Sequence, residues 1–171
     1  MLISTMPGID ASRPPKFYRY SDRTRLERSL TQGEFRLRPP SVDPATGAQP
    51  SGYLTLSLTR SWKESLFDVF AGADSCLIIH DTEQFGERIH RAAKLALPSW
   101  AGIDAAVSYG RPSPLGAVFS KAREDAAHDE WMFAWRPTQA MLSLNPVFIR
   151  IGSIEGIAEL RDKHAVIGLL H

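Results

Sequence analysis

Four polar residues stand where a folded chain could gather them into one site: Arg19, Ser57, Thr59 and Glu130. Arg19 lies in the aromatic stretch FYRY, where a guanidinium either meets solvent at a strand edge or holds an anion through paired hydrogen bonds. Ser57 and Thr59 share one face of the alternating segment YLTLSLT. Glu130 stands where a charged segment turns into the aromatic run WMFAW. Each residue alone is also typical of a solvated surface, so their order along the chain is what indicates a site.

A strand, a helix and a second strand are predicted to position Arg19. FYRY is a short aromatic strand, Ser21 is predicted to cap the helix that follows, and Gly33 to end it. EFRLR then alternates apolar and charged residues and stops at Pro39. The Pro- and Gly-containing segment 41–52 is predicted to be a loop.

The middle of the chain is predicted to mix helices and strands. Residues 61–71 are predicted as a helix whose inward side chains recur at helical spacing: Trp62, Leu66, Val69 and Phe70. SCLIIH is predicted as a buried strand, followed by a helix that Asp81 or Thr82 caps and Pro98 stops. AAVSYG is predicted as another strand, and residues 120–129 as a charged, weakly helical segment.

The last third is predicted to hold a strand over 131–136, and NPVFIRIGSIEGIAEL a strand with a short terminal helix. HAVIGLL is predicted as a final strand or a tail packed on the sheet. Because strands and helices do not alternate regularly, we expect an α+β fold with a substantial antiparallel sheet rather than a doubly wound one. Residues 1–16 are predicted to form an extended lead-in, and residues 17–171 a single domain.

Composition excludes several classes of protein. With 43% hydrophobic and 23% charged residues the chain is typical of soluble globular proteins, and no run approaches the ~18 apolar residues of a membrane span. A net charge of +1 gives no bulk attraction to nucleic acid or membrane. The single Cys76 excludes an intrachain disulfide, and the scattered histidines predict no metal site. We expect a cytoplasmic protein with no membrane partner, unless a dedicated secretion system exports it.

Common sequence motifs of catalysis are absent, namely G-x-G-x-x-G after a strand, the P-loop, the G-x-S-x-G elbow and H-E-x-x-H.

The segments FYRYSDRTRLERSLTQGEFRL, LTLSLTRSW and NPVFIRIGSIEGI resemble a widespread uncharacterised bacterial domain family. That family opens with a Y-[KR]-Y strand and carries a late W-x-x-E-aromatic strand. More distantly, the order Arg19, Ser57, Glu130 resembles the ADP-ribosyltransferase superfamily. There an Arg or His, a Ser or Thr, and a Glu on successive strands surround NAD.

The resemblance implies a fold and an activity. The fold would be an ADP-ribosyltransferase-like split, mainly antiparallel sheet with peripheral helices, and residues 61–98 would be a helical insertion. The activity would be NAD-dependent ADP-ribosyl transfer or NAD glycohydrolysis, in a bacterial toxin, effector or defence component. NAD would be a substrate, no metal would be needed, and the acceptor would be a protein or a nucleic acid. A cognate antitoxin or immunity protein is a further expected partner.

The resemblance also implies roles for individual residues. Glu130 would be catalytic, because a carboxylate stabilises the oxocarbenium-like charge that develops on the ribose. Arg19 would bind the pyrophosphate, Ser57 and Thr59 would brace the ribose or orient Glu130, and aromatic rings including Tyr20 and Trp62 would stack on the nicotinamide. His128 stands where arginine-modifying members have a second Glu or Gln, so arginine is a less favoured acceptor.

Two other functional classes remain open on the sequence alone. One is a non-catalytic binding module, such as an antitoxin, an immunity protein or another interaction protein. The other is a nucleic-acid-processing enzyme with a basic patch, which would comprise Arg13, Lys16, Arg19, Arg23, Arg25 and Arg28.

Overall fold

The computed structural model describes residues 12–40, 52–139 and 144–163. Within them the strands are β1 (Phe17–Ser21), β2 (Glu34–Leu37), β3 (Leu54–Thr59), β4 (Ser75–Ile79), β5 (Trp100–Ala106), β6 (Ser108–Tyr109), β7 (Ser120–Lys121), β8 (Glu130–Pro137), β9 (Val147–Arg150) and β10 (Ala158–Asp162). The α-helices are α1 (Arg23–Gln32), α2 (Leu66–Val69) and α3 (Thr82–Ala96).

Six strands form one antiparallel sheet in the order β10-β4-β1-β3-β8-β5. The predicted α+β class with a mainly antiparallel sheet is therefore confirmed. β1 and β3 share a single register pair, Tyr18 with Thr59, whereas the other neighbours pair over five to seven residues. The sheet thus consists of two three-stranded halves joined at one point. β2 pairs with β9, and β6 with β7, in two small additional sheets.

The two faces of the large sheet differ in chemistry because side chains alternate along each strand. One face, the core face, carries the leucines of β3 and the aromatic residues Phe17, Trp131 and Phe133, all buried. Helix α3 and the β2–β9 pair cover it, with the Phe85 and Phe35 rings 5.3 Å apart. The other face, the polar face, carries the hydroxyl side chains of β3, as the alternation in YLTLSLT predicts.

Two apolar clusters cover parts of the polar face. The α2 cluster contains Tyr20, Leu66, Phe67, Cys76 and Ile78. The β6–β7 cluster contains Ala105, Val107, Val118, Phe119, Met132 and Ala134. The hydroxyl-bearing face of β3 belongs to neither cluster and lies between the strands that carry them.

Helix ends follow local hydrogen bonding. Asp22, and not the predicted Ser21, caps α1, because its carboxylate accepts the Arg25 N–H at 3.0 Å. Gly33 ends α1 as predicted, with a φ of 65°. Asp81 caps α3 by accepting the Gln84 N–H at 2.9 Å, which confirms one of the two predicted caps.

The helix predicted over 61–71 is wrong, since only α2, a single turn, is helical there. The Tyr20 hydroxyl donates to the Ser61 carbonyl at 2.9 Å and accepts the Lys63 N–H at 3.0 Å, so these backbone groups are engaged before a helix can begin. Val69, predicted to face inward, is 47% exposed.

Other segments also differ from expectation. The short terminal helix predicted at the end of NPVFIRIGSIEGIAEL is wrong, because the chain from Ala158 onwards forms β10 and pairs with β4. Residues 61–98, predicted as a helical insertion, contribute β4 to the interior of the sheet. Residues 123–128 form a 3₁₀ helix. Residues 41–51 of the loop predicted over 41–52, and the tail predicted over 164–171, lie outside the described residues.

The end of the extended N-terminal segment, the lead-in, is bound to the rest of the domain through the buried carboxylate of Asp104. Arg13 donates two bonds of 2.8 Å to Asp104, and Trp131 Nε1 and His90 Nε2 lie 2.9 and 2.7 Å from the same carboxylate. The Asp104 side chain is 8% exposed. Burial raises the pKa of Asp104, but the bonds from Arg13 and His90 outweigh it and lower the pKa to about 2. This cluster ties β5 to α3 and to the lead-in.

Candidate functional site

Glu130 lies at the centre of a hydrogen-bonded group on the polar face. Its Oε1 accepts bonds of 2.8 Å from the Ser57 hydroxyl and from Lys121 Nζ. Its Oε2 accepts a bond of 2.9 Å from the Tyr109 hydroxyl, which in turn accepts the Glu130 backbone N–H at 2.9 Å. Glu130 is 6% exposed, whereas the Lys121 side chain is 33% exposed. The carboxylate is thus fixed in orientation, and the side chain of its lysine partner is partly exposed.

Four strands bring these groups together. Glu130 begins β8 and pairs with Thr59 of β3, so Ser57, two residues along β3, lies on the same face. Tyr109 and Lys121 pair with each other in the β6–β7 ladder. β6 directly follows β5 in the chain, and β7 precedes β8. The segment that connects β5 to β8, which contains β6 and β7, therefore passes over Glu130.

The chain turns sharply before Glu130, and charged groups hold the turn. Asp129 has a φ of 47°, an uncommon conformation for a residue with a side chain. The Arg60 guanidinium donates to Asp129 Oδ1 at 3.0 and 2.7 Å, and the Arg60 N–H donates to the Asp129 carbonyl at 2.9 Å. Ser61 Oγ donates to the other carboxylate oxygen. These bonds fix the position from which Glu130 enters the sheet.

The surroundings keep Glu130 charged and Tyr109 neutral. Burial raises the pKa of Glu130, but the charge of Lys121 and the bonds from Lys121, Ser57 and Tyr109 together outweigh burial, so the pKa lies below its ordinary value. Burial and the charge of Glu130 raise the pKa of Tyr109. At neutral pH the site therefore presents a carboxylate with three bound donors.

Thr59, Tyr20 and Trp62 lie on the same face as Glu130 but are used in packing. Thr59 Oγ1 donates to the Ser61 carbonyl at 2.8 Å, and the Tyr20 hydroxyl donates to the same carbonyl. The Trp62 ring packs against Tyr20 at 5.9 Å and Tyr18 at 6.3 Å between ring centroids. Burial raises the pKa of Tyr20. The structure thus places these predicted binding residues beside the site, where they form its wall towards the α2 cluster.

Arg19 lies on the core face, on the opposite side of the sheet from Glu130. It alternates with Tyr18 and Tyr20 along β1, and its guanidinium lies over the Phe35 ring, 5.9 Å from the centroid. Burial, together with the charges of Arg38 and Arg25, lowers the pKa of Arg19 to about 10. No carboxylate among residues 12–40, 52–139 and 144–163 lies at ion-pair distance from it. The structure therefore does not bring Arg19 to the Glu130 site.

The basic residues of the predicted nucleic-acid patch are also separated. Arg13 is bound to Asp104, Arg23 to Glu27 and Asp162, and Arg25 to Asp22. Arg19 is over Phe35. Three of the six predicted residues are thus engaged in ion pairs, and a fourth packs on an aromatic ring.

Tyr109 and Lys121 are the site residues that sequence reasoning missed. Neither belongs to a motif, and both reach Glu130 because the segment after β5 turns back over the sheet. Gly110, with a φ of 76°, makes that turn, and its N–H donates to the Lys121 carbonyl at 2.9 Å. The glycine after SY was the one available signal of a turn there.

Three further observations bear on the class of protein. In the described part of the chain, no three His, Cys, Asp or Glu side chains are grouped as metal ligands. None of the helices over those residues has both the length and the apolarity to cross a membrane. Comparison with protein-family models, with curated proteins and with solved structures gave no match.

Proposed function

We propose that this protein is an ADP-ribosyltransferase-like enzyme that cleaves the bond between nicotinamide and ribose in NAD, with Glu130 as the catalytic carboxylate. The observation that carries the proposal is the bond of 2.8 Å between Ser57 and Glu130 beside the point where the two halves of the sheet meet. The division of the sheet into two three-stranded halves supports the split-sheet architecture that belongs to the proposal.

The chemistry asked of Glu130 matches its environment. The bond between ribose C1′ and the nicotinamide nitrogen breaks, and its electron pair leaves with neutral nicotinamide. Positive charge develops on the ribose, and an ionised, oriented carboxylate stabilises it without rearranging during the reaction. The acceptor then forms a bond to C1′ and loses a proton. A protein or nucleic-acid acceptor makes the protein a transferase, and water makes it a glycohydrolase.

In this proposal Lys121 binds the anion, a role that the sequence analysis gave to Arg19. Arg19 is on the other face, so Lys121, whose side chain is partly exposed, is the cation beside Glu130 and meets the pyrophosphate. Ser57 orients the carboxylate, and Trp62 and Tyr18 provide aromatic surface for the nicotinamide. The role proposed for the whole protein is that of a bacterial toxin, effector or defence component that acts on a macromolecule.

A second candidate is a non-catalytic binding module, including an antitoxin or immunity protein. One observation favours it: both carboxylate oxygens of Glu130 are already bonded, as in a buried ion pair whose role is structural. Such a module would leave NAD intact while keeping Glu130 for stability.

NAD turnover separates the two candidates. The full chain is incubated with NAD, with and without bacterial lysate, and released nicotinamide is measured by chromatography. Radiolabelled NAD in the lysate sample shows whether a protein or a nucleic acid becomes labelled. Glu130→Gln removes the charge but keeps the shape, and Glu27→Gln, at a half-exposed position on α1, is the matched control. Turnover that Glu130→Gln abolishes and Glu27→Gln preserves supports the enzyme, whereas no turnover in any sample supports the binding module.

A further inference from the structure

A groove of about 480 Å³ lies between α3 and β9, away from Glu130. Two of its lining residues are large apolar side chains that face solvent: Leu95 of α3 is 79% exposed and Phe148 of β9 is 64% exposed. Grouped exposed apolar residues in a groove are typical of surfaces that bind a partner.

The strand that borders this groove has an unused edge. β9 pairs with β2 and, among the described residues, with no other strand. The Ile151 N–H donates to the Gly33 carbonyl at 2.9 Å, and antiparallel pairs alternate between bonded and non-bonded residues. The backbone N–H and C=O groups of Phe148 and Arg150 therefore point away from β2, towards the groove. An edge of this kind accepts an added strand.

The charge of the groove selects the chemistry of that strand. Arg88, Arg91 and Arg150 line it, and the Arg36 guanidinium lies 5.9 Å from the centroid of the Phe148 ring. Among the residues that the structure describes, two carboxylates bond these arginines: Glu87 bonds Arg91 and Glu34 bonds Arg150. Positive charge therefore exceeds negative charge along the groove, which favours an acidic partner.

We infer that this groove binds an extended acidic peptide segment of a partner protein, which adds to β9 as a strand. The backbone of the peptide pairs with Phe148 and Arg150. Its acidic side chains meet the arginines, and the apolar side chains between them contact Leu95 and Phe148. This mode of binding draws affinity from main-chain hydrogen bonds and specificity from alternate side chains. The groove is separate from the Glu130 site, so the inference does not depend on NAD chemistry.

Fluorescence anisotropy with defined peptides tests the inference on the full chain. The probe is a fluorescein-labelled peptide of sequence GEVEVEVG, and the comparison peptide has lysine in place of each glutamate. We expect saturable binding of the acidic probe and at least about tenfold weaker binding of the lysine peptide, because lysine side chains would meet the arginines of the groove with like charge. A probe with N-methylated backbone nitrogens should lose binding, because it cannot pair with a strand.

Variants locate the site. Arg91→Glu should weaken binding of the acidic probe by about tenfold and strengthen binding of the lysine peptide. Phe148→Ser should weaken both, while Arg111→Glu, in an exposed loop elsewhere, should change neither. Circular dichroism confirms that each variant is folded, which we expect because Arg91 and Phe148 are exposed.

Three results would overturn the inference. They are the absence of saturable binding to the acidic probe, equal affinity for the lysine peptide, and tighter binding of a labelled oligouridylate than of the acidic probe. The last result would make the groove a nucleic-acid site.

Discussion

Glu130 and Asp104 are both buried carboxylates with three partner side chains, and Glu130 is the one on the polar face of the sheet. A hydroxyl, a phenol and an ammonium group all donate to one carboxylate that is 6% exposed. Burial alone would push this group towards its neutral form, and the charge of Lys121 is the largest influence that opposes burial. The charge state of Glu130 therefore depends on Lys121.

Replacing Lys121 should change the pH dependence of NAD turnover. Lys121→Gln removes the positive charge that lowers the pKa of Glu130, so the carboxylate should protonate at a higher pH than in the wild type. We expect the acid limb of the turnover profile to shift upwards in pH. Lys63→Gln, at an exposed lysine that bonds the Ala127 carbonyl, is the control and should leave the limb in place. An acid limb that coincides in Lys121→Gln and wild type would show that Glu130 does not govern turnover.

Asp104 should make stability depend on pH in the acid range. Its pKa of about 2 in the folded protein lies below the ordinary value, so its contribution is present above about pH 4 and is lost as the pH falls towards 2. Asp104→Asn should lower the free energy of unfolding at pH 7 by about 3 kcal/mol, because it leaves the Arg13 charge without its main partner. Urea unfolding across this pH range measures both effects. If the free energies of unfolding of wild type and Asp104→Asn differ by a constant amount down to pH 2, the low pKa assigned to Asp104 is contradicted.

Arg19 should be dispensable for NAD turnover. Arg19→Met keeps a long side chain over Phe35 and removes a charge that has no nearby carboxylate among the described residues. We expect turnover unchanged within about twofold, and a free energy of unfolding that stays the same or rises. Nicotinamide release and urea unfolding measure the two quantities. A large loss of NAD turnover in a folded Arg19→Met variant would show that Arg19 takes part in the reaction.

At the level of single elements, Gly33 is required by both backbone conformation and space. Its φ of 65° is left-handed, and a Cβ there would overlap the carbonyl oxygen of Gly152. Gly33→Ala should lower the free energy of unfolding by more than about 1 kcal/mol. Gly72 is also left-handed, but no atom lies within 4 Å of a Cβ added there. The difference in free energy of unfolding between Gly33→Ala and Gly72→Ala therefore measures the steric contribution at Gly33. Equal losses would show that Gly152 moves aside freely.

Elements with a strong local pattern were predictable from sequence. YLTLSLT alternates strictly and forms β3. SCLIIH gives β4, whose five residues Ser75–Ile79 are all buried, and the spacing of Phe85, Ile89 and Ala93 gives α3. The helix predicted over 61–71 failed because its first residues bond to Tyr20, which is distant in sequence, and to the neighbouring Thr59. β10 was missed because strand pairing with β4, rather than its own periodicity, determines its conformation.

For the whole molecule, the sequence predicted the strands that carry Ser57 and Glu130, but not the face of the sheet on which Arg19 lies. Ser57 and Glu130 meet because β3 pairs with β8 in a register that places both on the polar face. Arg19 is on the other face, and FYRY did not reveal this because each face of the strand has an aromatic residue, so the pattern shows no distinct polar face. Tyr109 and Lys121 reach the site through tertiary contacts that no local pattern encodes.

The two faces of the sheet also separate the two proposed activities. The Glu130 site lies on the polar face, while the peptide groove lies between α3 and β9, elements that pack on the core face. A defect in one is therefore expected to leave the other intact. The Arg91→Glu variant should therefore release nicotinamide from NAD at the wild-type rate.

The most direct test of the central claim is nicotinamide release from NAD by the full chain, compared between wild type, Glu130→Gln and Glu27→Gln. We predict that wild type and Glu27→Gln turn NAD over, in buffer or once lysate supplies an acceptor. Glu130→Gln should lose at least about a hundredfold in rate, because the carboxylate charge no longer stabilises the ribose. Far-UV circular dichroism should show the same fold for all three. No release by any of them, or equal release by wild type and Glu130→Gln, would contradict the account.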